Sequence, residues 1–211
     1  IKAWSEGIVP HQMTSNSQVG KTYAELIFAF LQDLLAKGST LEKVYIVEMG
    51  AGHGRLAFHI LKHLDKLVQS TDVRLTEYCY VLSDIVEDNL SFFEDHPQLQ
   101  SYLQQGQLDV AYFDAIGSKE LQLRYAKKKI KANSLNNPIL AIANYFFDSI
   151  PNDLYYIKDK VISSSSVSID SEVEPVGKNT IDMMKGMKMT YHNEPIKSPP
   201  YDRPIFNEIL E

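Results

Sequence analysis

The chain has 211 residues, 44% of them hydrophobic and 23% charged, enough for a buried core and one domain with an appendage. A net charge of −6 lacks the footprint of a general nucleic-acid binder, and a single cysteine, Cys79, excludes a disulfide framework and predicts a reducing, cytoplasmic compartment. No apolar run approaches the ~18 residues of a membrane span, so no membrane partner is expected.

The elements follow in chain order. The chain starts at Ile1 without a methionine. Ser15, Asn16 or Ser17 can cap a helix from Val19 to Lys37, with Tyr23, Leu26, Ile27, Phe30 and Leu34 at helical spacing and Gly38 as its stop. Val44 to Glu48 reads as a buried strand and Leu56 to Leu67 as an amphipathic helix. Tyr78 to Asp84 is a second strand, which makes Cys79 a buried strand residue and not a nucleophile. Glu87 to Leu103 reads as helix broken at His96-Pro97, Leu108 to Asp114 as a third strand, and Lys119 to Ile130 as a polar helix whose end carries Lys127–Lys131. Ile139 to Ala143 is a short apolar run, as expected of a strand covered on both faces.

Strand and helix alternate, which predicts a doubly wound, Rossmann-like α/β sheet. Leu154 to Ile157, a turn at Lys158–Lys160 and Val161 to Ile169 predict a β-hairpin that the serine run Ser163–Ser166 interrupts. Residues 171–204 show no clear period; Met183, Met184, Met187 and Met189 are spaced for one face of a short helix. Pro204 to Glu211 reads as the start of a helix, so both ends look cut and the C-terminal part of the sheet is expected to be truncated. The expected organisation is an α/β domain over residues 1–157 with an N-terminal helical segment, then a hairpin and substrate-covering insertion over 158–211.

The chemistry concentrates at Glu48-Met49-Gly50-Ala51-Gly52-His53-Gly54, between the first strand and its helix. Glycines there let the backbone approach a nucleotide or adenosyl group, since glycine accepts positive φ and has no Cβ. Dinucleotide folds space their glycines G-x-G-x-x-G, but position 55 is Arg55. The G-x-G-x-G spacing behind Glu48 points to S-adenosyl-L-methionine and away from nicotinamide. A structural turn without ligand is the bland alternative.

Ligands of open parallel sheets bind at the carboxyl ends of the strands. Four such ends carry Glu48, Asp84, Asp114 and Asn144. Gly50, Ala51, Gly52 and Gly54 would pass under the methionine and ribose, and Glu48 would favour the ligand's cationic end. Asp84, followed by Ile85, would accept from the ribose hydroxyls, and Asp114 with Ala115 would meet the adenine amino group. Each acid could equally cap the next helix. His59 and His63 share a helix face at i, i+4, but no third ligand accompanies them and no metal is expected.

These residues resemble class I S-adenosylmethionine-dependent methyltransferases. Asn137-Pro-Ile-Leu-Ala-Ile-Ala-Asn144-Tyr145-Phe146-Phe147-Asp148-Ser149-Ile150-Pro151 is similar to a segment of the MidA family, which includes the mitochondrial complex I assembly methyltransferase. Thr14-Ser15 and Ala24-Glu25-Leu26-Ile27 are similar to the family's segment ahead of the glycine turn. The resemblance implies methylation of an arginine on a protein partner, with Thr14 and Asn144 at the cofactor and Asn144, Tyr145, Asp148 and Glu25 at the reacting groups. Where the family has Asn-Glu this chain has Asn144-Tyr145, and where it has Thr-Ser-Pro-Glu this chain has Thr14-Ser15-Asn16-Ser17. Both changes remove a carboxylate, leaving Glu25 and Asp148 to manage the acceptor's proton. The nucleic-acid amino-methyltransferase signature is absent, so no nucleic-acid substrate is expected. A non-catalytic cofactor-binding assembly protein and a small-molecule methyltransferase are the alternative readings.

Overall fold

A computed structural model describes residues 14–38, 42–71, 75, 77–171 and 187–210. The chain forms two compact units, Ile1–Ile150 and Pro151–Glu211.

The first unit is built on a six-stranded sheet. Strands β1 (Val44–Met49), β2 (Tyr78–Asp84), β3 (Leu108–Tyr112), β4 (Glu120–Leu123), β5 (Lys129–Lys131) and β6 (Leu140–Ile142) lie in the order β5-β4-β3-β2-β1-β6. The β1, β2, β3 and β6 strands run parallel, and β4 and β5 continue the sheet antiparallel. Successive strands step outward from β1 to β5, after which the chain returns to the other side of β1 as β6. That reversal opens a crevice at the carboxyl ends of β1 and β6.

Helices α1 (Ser17–Ala36), α2 (Arg55–Ser70), α3 (Glu87–Asp95) and α4 (Gln100–Gln104) share one apolar core with the sheet, centred on Ile27, Leu31, Ile60, Leu64, Tyr80 and Phe93. Burial of each such side chain contributes roughly 1.5–3 kcal/mol. Asn16 caps α1 by accepting the Val19 N–H at 2.9 Å, and Gly38 follows its end at φ 71°. Gly20 of α1 lies directly against the Cβ of His59 on α2, and Ser17 Oγ meets His63 Nε2 at 2.9 Å. Both histidines therefore serve the α1–α2 interface. The opposite sheet face holds a smaller cluster, Tyr45, Val47, Cys79, Val81, Leu123 and Ile130. Burial pushes the Cys79 thiol up to about 12, so it stays protonated and inert.

The expected polar helix over Lys119–Ile130 is instead the β4–β5 hairpin. Leu123 and Ile130 are buried and Leu121 packs beside them, so alternation wins over any helical stripe. Buried Asp109 fixes the turn by accepting the N–H groups of Val110, Tyr125 and Ala126, and Lys127 takes φ 52°. Tertiary hydrogen bonds of this sort override local propensity.

The second unit is a three-stranded antiparallel sheet, β7 (Leu154–Lys158), β8 (Val161–Ser171) and β9 (Met187–Pro195), followed by the short helix α5 (Pro204–Glu208). The hairpin expected at Lys158–Lys160 is present, with Asp159 and Lys160 at φ 50° and 64°, the left-handed pair that such two-residue turns require. The serine run does not interrupt β8: Ser163–Ser165 pair on both sides, with Tyr156–Leu154 and with Pro195–Asn193, and Ser166 pairs with His192. Met187 and Met189 lie on β9, not on a helix, because they alternate with Lys188 and Thr190; Met183 and Met184 lie outside the described residues. β7 straddles the boundary expected at residue 157 and pairs with β8. Among the described residues no helix is long and apolar enough to cross a membrane.

Candidate functional site

A cavity of about 630 Å³ opens where β1 and β6 end. Glu48, Gly50, Ala51 and Gly52 line it from the β1 side, and Asn144, Tyr145 and Ser149 from the β6 side. Thr14 and Ser15 ahead of α1, His53 and Leu56 at the start of α2, and Asn89 and Phe92 on α3 complete its wall.

The turn under the cavity takes its shape from its glycines. Gly50 and Gly52 have φ 65° and 59°, where a side chain would be strained. A Cβ on Gly50 would meet the Phe146 ring at 2.9 Å, whereas one on Gly52 would meet nothing within 4 Å. Gly50 is thus bare because protein packs against it, and Gly52 is bare toward open space. Neighbouring strands hold this shape. Ala51 N donates to Ser83 O at 3.0 Å, Gly52 N donates to Asp84 Oδ2 at 2.9 Å, and Ser83 Oγ donates to Glu48 O at 2.7 Å.

Glu48 is buried, and Tyr80 Oη donates to its Oε2 at 2.9 Å. Burial raises its carboxyl to about 7; the Tyr80 hydrogen bond works against that rise, and the Asp84 charge adds to it. Near neutrality the group therefore sits between its acid and its carboxylate, and a cation in the cavity would favour the carboxylate. Burial, and after it the neighbouring Glu48 carboxyl, holds Tyr80 well above the usual phenol range. Asn144 is half-buried, with its Nδ2 donating to Thr14 O at 3.1 Å, which ties the end of β6 to the segment before α1. Tyr145 follows at φ 52° and is 67% exposed.

A family model described as "putative S-adenosyl-L-methionine-dependent methyltransferase" matches residues 24–205. The chain belongs to that family. Membership in this methyltransferase family agrees with the class I, MidA-like resemblance carried by the glycine turn and Phe146–Pro151, and the family's cofactor is S-adenosyl-L-methionine. Two crystal structures of Burkholderia thailandensis proteins from one superfamily are also similar. One, described as a "likely methyl transferase" bound to S-adenosyl-homocysteine, shares 18% identity and a TM-score of 0.44 over 93% of this chain and 38% of its own. The other, an uncharacterized protein in its native form, shares 17% identity and a TM-score of 0.41 over 92% of this chain and 39% of its own. The chain thus spans under two fifths of either structure's length. No curated protein matches it.

Within this methyltransferase fold, the expected site residues divide. Glu48, Gly50, Ala51, Gly52, Thr14, Asn144 and Tyr145 come together around the cavity. Gly54 lies beneath it, packed against Phe93. Asp84, expected at the ribose hydroxyls, accepts the N–H groups of Gly52 and Val86 with its two oxygens. Ile85 is exposed and is not among the lining residues. Asp114 closes its own loop by accepting the Ile116 N–H, and the adjacent Ala115 is exposed. Glu25 faces solvent on α1, 3.7 Å from Lys21, and Asp148 is exposed on a 3-10 turn; neither lines the cavity. Ser15, Leu56, Asn89, Phe92 and Ser149 were not anticipated. Asn89 and Phe92 had one signal in the sequence, their position on the helix that follows the acid-tipped second strand.

Proposed function

We propose that this chain binds S-adenosyl-L-methionine in the cavity and transfers its methyl group to a protein side chain, with arginine the acceptor suggested by the family resemblance. The observation that carries this reading is Gly52, pinned by Asp84 and bare toward open space beside the buried acid Glu48. When bound, the cofactor supplies an electrophilic methyl group on a sulfonium. The chain's own residues would position it. Glu48 would face its cationic end, the Gly50–Gly54 turn would let the ligand approach the backbone, and Leu56 and Phe92 would wall it with apolar surface. Asn144 supplies an amide at the cavity edge and Tyr145 an exposed ring beside it. Alignment of acceptor and methyl supplies most of the rate of such a transfer, so a sparse polar set suffices.

A second reading is favoured by one observation. Glu48 is the lone carboxylate among the described lining residues, while Glu25 and Asp148 are exposed and do not line the cavity. A guanidinium acceptor needs carboxylates to orient it and take its proton. The chain would then be a cofactor-binding assembly or interaction protein without turnover.

Calorimetry with S-adenosylhomocysteine and with NAD tests the common half of both readings. Heat of binding is expected only with the thioether, and Gly52→Trp is expected to abolish it without loss of the melting transition. Equal binding of NAD would reject the assignment. Transfer of a radiolabelled methyl group to protein then separates enzyme from binder.

A further inference from the structure

We infer that the β4–β5 hairpin and the groove beside it dock an acidic, amphipathic peptide segment of a partner protein. The groove, about 430 Å³, lies in the first unit. Leu121, Ile130 and Leu135 belong to the cluster on the sheet face opposite the helices, and Phe113, Pro138 and Ile139 extend that apolar lining. Ile139 is 43% exposed there, and Lys119, Lys131 and the acid Glu120 supply the charged part of the lining.

Cationic charge is concentrated along the adjoining hairpin, with Lys119 and Lys131 shared by hairpin and groove. Residues 119–131 carry six cationic side chains against one acidic, in a chain whose net charge is −6. Some of these are already engaged. Arg124 is held by Glu87 at 2.6 Å and Glu94 at 3.1 Å, and Glu120 is shared by Lys129 at 2.6 Å and Lys131 at 3.9 Å. Lys128 lies 5.1 Å from the centre of the Tyr45 ring. Lys119 and Lys127 are exposed, and the hairpin keeps a clear cationic excess.

The lining favours a peptide over a small polar ligand. Ser118 Oγ accepts the Asp114 N–H, Ser134 Oγ bonds to the Lys131 backbone, and Asn137 Nδ2 donates to Glu42 O. These groups are spent within the protein, so the groove offers apolar contact and rim charge. Single-stranded nucleic acids use cationic tracks with successive stacking aromatic rings, and the groove's lining, aliphatic apart from Phe113, does not match them. Acidic residues flanking apolar anchors match both features. Docking there does not depend on methyl transfer.

The test is fluorescence anisotropy with a labelled synthetic peptide that places leucines on one helical face and glutamates on the other. Parallel arms use the same peptide with lysines for glutamates, phosphatidylserine vesicles and a single-stranded oligonucleotide. The acidic peptide is expected to bind, and to lose affinity by roughly tenfold or more in Lys119→Glu/Lys131→Glu and in Ile139→Glu. Lys62→Glu/Lys66→Glu, the same charge change on α2, is expected to shift it by less than about twofold. Melting curves check that each variant is folded, and the calorimetric response to S-adenosylhomocysteine reports the cofactor site separately. The inference is overturned if the control pair weakens binding equally, if both groove variants bind normally, or if only vesicles or the oligonucleotide bind.

Discussion

Asp84 Oδ2 accepts the Gly52 N–H at 2.9 Å, while Asp84 Oδ1 accepts the Val86 N–H at the same distance. One buried carboxylate thereby ties the tip of β2 to the turn after β1 and to the approach to α3. Asp84→Ala would leave both donors without this acceptor, at a cost of about 1–3 kcal/mol. Denaturant unfolding should show that loss. Calorimetry should show S-adenosylhomocysteine binding at least about tenfold weaker, because the turn is no longer preorganised. Unchanged affinity in a folded variant would remove Asp84 from the binding argument.

Glu48 sets a pH dependence. Its folded carboxyl lies at about 7, above its ordinary 4.5, so the folded protein holds a proton that the unfolded chain has already released. Its contribution to stability is fully present below the unfolded value and is lost as pH rises through the folded one. At 1.36 kcal/mol per unit this amounts to about 3 kcal/mol. Glu48→Gln should flatten that fall and be more stable than wild type above the window. Binding of a cationic ligand should move oppositely, strengthening from about pH 6 to about pH 8 in wild type and staying flat in the variant. Parallel pH profiles for the two proteins would contradict the role of this group.

Gly20 is where α1 touches α2. A Cβ there would run into the His59 Cβ and crowd the His59 and Ile60 backbone. Although alanine favours a helix, Gly20→Ala should destabilise the protein by roughly 1–3 kcal/mol through overpacking. A raised melting temperature would show that the helices separate freely.

Tyr78 tests the economy of the core. Its Oη is buried without a hydrogen-bond partner among the described residues, and burial holds the phenol well above its usual range. Tyr78→Phe removes an unsatisfied group and keeps the ring, so stability should hold or rise by about 1 kcal/mol. Marked destabilisation would mean that the hydroxyl has a partner in solution.

Much was legible without coordinates. Periodicity located α1, α2, β1, β2 and β3, since residues three or four apart share a helix face and a continuous apolar run needs cover on both sides. The glycine spacing behind Glu48 marked the turn, because positive φ and a missing Cβ are properties of the residue itself. What the sequence could not assign was which partner each polar group would take. Asp84 and Asp114 look alike at strand tips, yet one braces the glycine turn and the other closes its own loop. Lys119–Ile130 reads as helix in sequence because the apolar neighbours that reward its alternation, and the Asp109 carboxylate that pins its turn, come from other strands. Local conformation follows from neighbours along the chain; hydrogen-bond partners and the open space above Gly52 depend on segments far apart in sequence, and only folding brings these together.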